Sequence, residues 1–313
     1  MKKILIIGGG GYIGTELCNY LNLRGFKVIC LDTFWFGNYL DKKIKIIKHD
    51  IRELKNKFFK NIDVVINLAY LANDPLCEVN ARDTWEIGPL SLYQMMEYCV
   101  KNKVKKFIFA SSGCVYGIKK EKNVTENLSL EPMTDYNKSK MICEKIIQSY
   151  DDKIKNIILR PATVCGFSKR LRLDVVLNLF CYQAFYKKKI SIFGGNQIRP
   201  LINIKDMIRA YEFFISKNFT GCFNAGFENV SVKKIAEIVQ KVMPCKIEII
   251  KSHDPRTYRM NSSKLFRTGF KSLFNAKDAV HELKNEFEKG FKPKKINWNL
   301  DYLINKRKIV KTQ

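Results

Sequence analysis

The sequence has no Cys-x-x-Cys pair, only 3 histidines, and no apolar run near the roughly 18–20 residues that a membrane helix needs. Cys18, Cys30, Cys77, Cys99, Cys114, Cys143, Cys165, Cys181, Cys222 and Cys245 are scattered through apolar stretches. That spread fits reduced core thiols and excludes a disulfide framework or a cysteine zinc site. His49, His253 and His281 form no ligand spacing, so no metal is expected. Met1-Lys2-Lys3 is followed by only Ile4–Ile7 before a glycine run, too short a core for a secretory signal. A cytoplasmic protein that neither spans nor enters a membrane is expected.

Acidic residues are also few, 30 against 56 basic, for a formal charge of +26. Of those 56 bases 44 are Lys and 12 are Arg, and clusters such as Lys187-Lys188-Lys189 have the look of solvated helix and loop ends. The charge favours small phosphorylated anions, and no nucleic-acid partner is expected.

Within the 313 residues, 46% apolar, short β-branched runs alternate with helical patterns. Expected strands are 3–8, 27–32, 44–48, 63–69, 105–111 and 156–160. Expected helices are 11–24, 85–101 and 134–150, with a short one after Asp50. The pattern predicts an α/β fold with a doubly wound parallel sheet over 1–168. A smaller, mixed α/β substrate domain is expected over 169–313, with some segments returning to the first domain. It should hold helices near 174–188, 206–217, 231–243 and 276–290 and a short strand at 189–193. From Gly290 onward the Lys- and Asn-rich chain reads as a loosely attached tail.

Gly8, Gly11 and Gly14 stand where the first strand becomes a helix, with the spacing that lets a pyrophosphate approach backbone N–H groups at a helix N-terminus. Asp32, 18 residues after Gly14, closes the second strand, where a carboxylate accepts both adenosine ribose hydroxyls and repels a 2′-phosphate. Thr33-Phe34 supplies no compensating arginine, so the expected cofactor is NAD rather than NADP. Asp50, ending the third strand, can accept from the adenine amine.

Tyr136 and Lys140 lie one helical turn apart, so the ammonium can lower the phenol pKa while the phenol exchanges a proton with a sugar hydroxyl. Four Tyr-x-x-x-Lys matches occur, beginning at Tyr39, Tyr116, Tyr136 and Tyr302. Context selects Tyr136, which follows by 24 residues Ser112 at the end of the 105–111 strand, beside the expected nicotinamide crevice.

Together, Gly8-x-x-Gly11-x-x-Gly14, Asp32, Asp50-Ile51, Asn67-Leu68-Ala69, Ser111-Ser112-Gly113-Cys114-Val115-Tyr116-Gly117, Tyr136-x-x-x-Lys140 and Leu159-Arg160-Pro161 resemble, in order, the extended short-chain dehydrogenase/reductase family. The resemblance covers nearly the whole chain and implies a Rossmann sheet and an NAD-dependent enzyme. It implies Tyr136 as acid/base, Lys140 as its cofactor-side partner and Ser112 as the group that hydrogen-bonds the reacting hydroxyl. Tyr12, Ile13, Ile51, Leu68 and Ala69 resemble further cofactor contacts, whereas Glu86 stands where many members carry an asparagine. Thr163, Asn178, Arg199 and Arg256 resemble substrate-side positions, where an arginine fork suits a diphosphate.

Members of this type mostly act on nucleotide-diphosphate sugars. The stretch from Thr163 to Val176 resembles bacterial epimerases and C4 dehydrogenases of surface-polysaccharide pathways, including GDP-heptose 4-dehydrogenases. The expected activity is therefore oxidation at C4 of such a sugar, hexose or heptose, as a 4-epimerase or a net 4-dehydrogenase. Gly113 and Cys114 replace the Asp-Glu of the 4,6-dehydratases, which disfavours dehydration. Cys114 falls where GDP-fucose synthases place a catalytic cysteine, which keeps a 4-keto-sugar epimerase/reductase as an alternative beside a non-catalytic NAD-binding protein. The resemblance also implies a homodimer through the helices of 85–101 and 136–150.

Overall fold

A computed structural model of the chain describes residues 1–72, 74–252 and 257–310. Twelve strands appear in chain order among them. The first six are β1 (Lys3–Ile7), β2 (Lys27–Asp32), β3 (Lys45–Lys48), β4 (Val64–Asn67), β5 (Lys106–Ala110) and β6 (Lys155–Pro161). They are followed by β7 (Thr163–Cys165), β8 (Lys189–Phe193), β9 (Ile198–Asn203), β10 (Gly221–Ala225), β11 (Glu228–Ser231) and β12 (Lys246–Ile250).

Two compact units emerge: Met1–Gly117, Glu126–Pro161 and Ile208–Asn224 make the first, and Ile118–Thr125, Ala162–Met207 and Ala225–Gln313 the second. The first is built on a seven-stranded sheet in the order β10-β6-β5-β4-β1-β2-β3. From β6 to β3 every neighbouring pair runs parallel. This is the expected doubly wound α/β fold. Ile4, Leu5, Ile6 and Ile7 of the central strand are fully buried, because helices cover both faces of a parallel sheet. Burying each such side chain contributes about 1.5–3 kcal/mol.

The order reverses between β4 and β1, which opens a crevice at their carboxyl ends. At the far end of the sheet, Lys106 donates to the Phe214 carbonyl at 2.6 Å and Lys2 to that of Ile215 at 2.7 Å. Two cations thus serve the C-terminal carbonyls of the helix Ile204–Ser216.

The second unit carries a three-stranded sheet, β11-β9-β7, and the parallel pair β12-β8. Its strands at 163–165, 198–203, 228–231 and 246–250 were not expected from the sequence: β7 and β11 are short, β12 is largely exposed, and β9 carries Pro200 and buries four consecutive residues, so none shows a clean alternation. The tail expectation is corrected here. Asn297 donates to the Leu171 carbonyl at 2.7 Å and accepts from the Leu173 N–H through its own carbonyl at 2.8 Å. The fully buried Arg170 guanidinium bonds the Asn299 side chain, and the helix Asn299–Val310 follows. A buried cation must find acceptors, and the Asn299 side chain is one of them. Among the described residues, no helix is long and apolar enough to cross a membrane.

Candidate active site

The glycine loop leaves β1 at the reversal point. Gly8 sits at φ +82°, and a side chain there would come within 2.4 Å of the Ala69 backbone nitrogen at the end of β4. A methyl on Gly14 would stand 2.3 Å from the Gly8 carbonyl oxygen. Gly8 and Gly14 are therefore required by the close packing of loop, helix and sheet. A Cβ on Gly11 would meet only that same oxygen, at 3.3 Å, and otherwise project into open space. Gly11 is also the N-cap of the helix Tyr12–Leu23 and contributes no side-chain cap. The room above Gly11 and the N–H groups that open this helix, those of Tyr12 and Ile13 first, fit a pyrophosphate.

Asp32 is held from two sides: Oδ2 accepts from the Gly10 N–H at 2.9 Å and Oδ1 from the Phe34 N–H at 2.6 Å. These bonds aim the carboxylate along the loop and leave lone pairs that can accept from a ribose diol. Asp50 caps the short turn Ile51–Glu53, accepting from the Arg52 backbone at 2.9 Å and pairing with its guanidinium at 2.6 Å. Burial works to raise the Asp50 carboxyl, but the Arg52 bonds outweigh it and hold it below the usual carboxylate range. Ile51 is buried behind that turn, and Leu68 and Ala69 are half-buried just after β4. Glu86 is drawn into ion pairs with Arg82 at 2.7 Å and Arg52 at 3.7 Å.

Thr134 caps the helix Asp135–Gln148 by accepting from the Asn137 N–H at 3.3 Å, which sets Tyr136 in the first turn and Lys140 in the second. Ser112 ends the β5 side of the crevice, its Oγ accepting from the Cys114 N–H at 3.1 Å, and its hydroxyl neighbours the Tyr136 phenol. Burial pushes the Tyr136 phenol above its ordinary value, the Cys114 thiol adds to the push, and the neighbouring Ser112 hydroxyl opposes it. The Lys140 ammonium is buried, donates to the Ala110 carbonyl at 2.6 Å and lies 5.9 Å from the centre of the Tyr136 ring. Ser112, Tyr136 and Lys140, predicted from separate stretches of sequence, thus meet at the carboxyl edge of β5.

Behind them runs a buried polar network that the sequence reading missed. Arg160 of β6 grips Glu144 through Nε at 3.0 Å and a second nitrogen at 2.6 Å, and Ser111 donates to the same carboxylate. Arg160 also donates to the Tyr116 hydroxyl at 2.8 Å, which donates to Asn224 at 2.7 Å. Glu144 follows Lys140 by one turn, so Tyr136, Lys140 and Glu144 recur on one face of the helix. That i, i+4, i+8 recurrence was the available signal. The network joins the Lys140 helix, the Ser111–Ser112 strand end and β6.

Thr163, Asn178 and Arg199 belong to the second unit. Asn178 is fully buried, its Oδ1 accepting from the Gly166 N–H at 3.0 Å and its Nδ2 donating to the Arg172 carbonyl at 3.0 Å, so its amide braces the 166–172 loop. Thr163 opens β7, and Arg199 is half-buried on β9, donating to the Ile198 carbonyl at 3.2 Å. Arg256 lies outside the described residues. Among the described residues, no group of three or more His, Cys, Asp or Glu side chains could hold a metal ion.

Residues 4–226 match the sequence model of the NAD dependent epimerase/dehydratase family. The chain is 30% identical over 261 residues to the uncharacterized UDP-glucose epimerase YtcB of Bacillus subtilis, covering 77% of this chain and 82% of that protein. It is 28% identical over 297 residues to the UDP-glucose 4-epimerase of Lactobacillus helveticus, covering 84% and 89% of the two chains. Among solved structures, the UDP-glucuronic acid 4-epimerase of Bacillus cereus in complex with UDP-glucuronic acid and NAD is similar, with a TM-score of 0.81 and 25% identity. That match covers 92% of this chain and 100% of the other. The chain therefore belongs to the NAD dependent epimerase/dehydratase family, within the extended short-chain dehydrogenases/reductases, and is an NAD-dependent enzyme.

Proposed function

We propose that the enzyme oxidises C4 of a nucleotide-diphosphate sugar, hexose or heptose, as a 4-epimerase or a net 4-dehydrogenase. The convergence of Ser112, Tyr136 and the buried Lys140 ammonium at the carboxyl end of β5 supports this reading most. Tyr136, in its ionised form, takes the C4 hydroxyl proton, Ser112 orients that hydroxyl, and the Lys140 ammonium supplies the positive charge that favours the phenolate. NAD, when bound at the Gly8–Gly14 loop and Asp32, supplies the hydride acceptor. Thr163, Asn178 and Arg199 serve the substrate side, Asn178 by shaping the loop it braces. The relatives named for UDP-sugars make UDP the first base to test. A homodimer in the cytoplasm, acting in bacterial surface-polysaccharide synthesis, completes the proposal.

Sugars deuterated at C4 test it. An epimerase retains the label in an inverted sugar, and a dehydrogenase moves it to the cofactor and yields a ketone. UDP- and GDP-linked hexoses and heptoses that all keep the label without inversion would exclude C4 oxidation.

A second expectation concerns Asp32. NAD should bind more tightly than NADP, and Asp32→Ala should weaken NAD by roughly tenfold to a hundredfold, the worth of hydrogen bonds to a charged group. NADP affinity should change little or rise, so the gap narrows. Equal dissociation constants for the two cofactors in the wild type would overturn this assignment.

A further inference from the structure

Tyr70 belongs to neither the glycine loop nor the Ser112, Tyr136 and Lys140 set, yet it touches two members of the latter. It follows β4 by three residues and is half-buried. Its ring lies 3.6 Å from the Lys140 ammonium, nearer than the Phe109 ring at 4.7 Å. The same ring meets that of Tyr136 edge-on, with centroids 5.7 Å apart. Its hydroxyl donates to Ser139 Oγ at 2.6 Å, and Ser139 donates to the Tyr136 carbonyl at 3.0 Å.

The opposing helix is shaped around that hydroxyl. Glu86–Leu90 forms a π-helical turn, and a methyl on Gly88 within it would stand 2.4 Å from the Tyr70 oxygen. A π-turn and an interior glycine are both unfavourable departures from a regular helix, and π-turns concentrate at functional sites.

We propose that Tyr70 is a positioning residue of the proton-transfer apparatus: its ring face holds the Lys140 ammonium in place beside Tyr136, and its hydroxyl, through Ser139, ties the Tyr136 backbone to the same point. The proposal rests on the reading of Tyr136 as acid/base, but the contact between ring and ammonium is measurable without any sugar.

Burial brings Lys140 down to about 8, so its charge at neutral pH depends on its surroundings. On its own helix it faces Cys143 and Glu144, and on the helix Asp74–Val79 it faces Cys77. Burial pushes the Cys77 thiol up to about 11 and Cys143 to about 12, so both are neutral near pH 7, while Glu144 is paired with Arg160. From the helical turns packed against it, Asp83 and Glu86 are paired with Arg52. On the helix Ser91–Lys101, Glu97 is hydrogen-bonded by Tyr150. An aromatic face favours the charged form of a cation, so removing the Tyr70 ring should lower the Lys140 pKa further.

The full-length protein labelled with 13C at lysine Cε would be titrated by NMR, with the Lys140 signal identified by its loss in Lys140→Arg. Tyr70→Phe keeps the ring and should titrate like the wild type. Tyr70→Leu should lower the Lys140 pKa by roughly 0.4–1.5 units, the pH equivalent of a cation–π contact. The alkaline limb of kcat should fall by the same amount. Should Tyr70→Leu fail to fold, Gly88→Ala drives a methyl into the Tyr70 hydroxyl and should move Lys140 the same way. Wild-type titration in folded Tyr70→Leu or Gly88→Ala, or a lysine shift with an unmoved kcat profile, would overturn the proposal. A wild type that turns over no sugar counts against C4 oxidation alone, because the lysine titration decides the Tyr70 contact without substrate.

Discussion

Tyr136→Phe should bind NAD as the wild type does and lose about two to four orders of magnitude in turnover, the usual worth of a general acid/base. The substitution deletes one oxygen and almost no volume, so the helix Asp135–Gln148, its Thr134 cap and the Lys140 bond to Ala110 should persist. Cofactor affinity measured by titration and turnover measured on the same preparation separate the two effects. Tyr39, Tyr116 and Tyr302 share the Tyr-x-x-x-Lys spacing and serve as controls. Tyr116 is fully buried and hydrogen-bonded to Arg160 and Asn224, so its Phe variant should lose stability more than chemistry. Turnover near the wild-type rate in Tyr136→Phe would remove Tyr136 from the mechanism.

Arg160→Met should destabilise the fold by about 3–5 kcal/mol, the cost of leaving one partner of a buried ion pair alone. Glu144 is 1% exposed and Arg160 5%, so neither charge has water to fall back on. The loss should appear as a lower urea midpoint or a lower Tm. Replacing both partners together, Arg160→Met with Glu144→Leu, should recover much of the stability, because no buried charge is then left unpaired. Activity should not recover with it if Ser111, which donates to Glu144, helps to fix Ser112. A single variant as stable as the wild type would show that water reaches the carboxylate.

The mechanism of site assembly explains which residues could be found in advance. Ser112, Tyr136 and Lys140 carry their chemistry in residue type and local spacing, and each follows a strand end or helix start that periodicity reveals. Tyr70 carries no such mark. It is one aromatic in the loop after β4, and only the approach of the helix Asp135–Gln148 puts an ammonium 3.6 Å from its ring. Arg160 and Glu144 are 16 residues apart in sequence and meet because β6 packs beneath the helix that precedes it. Asn297 and Asn299 were misread for a related reason: a Lys- and Asn-rich composition describes solvation, whereas the Leu171 and Leu173 backbone that Asn297 bonds and the buried Arg170 that Asn299 serves lie more than 120 residues away.

By itself the sequence determined the parallel α/β sheet and the glycine turn, and it singled out Asp32, Ser112, Tyr136 and Lys140 as the candidate site residues. These depend on local periodicity, on glycine geometry and on spacings within one or two turns. Only the tertiary structure decided the strand order, the buried Glu144–Arg160 pair, the aromatic face on Lys140 and the structural use of Asn178. Each of these is a contact between residues distant in the chain. Its energy depends on desolvation and on partner geometry, and both exist only once the segments have packed.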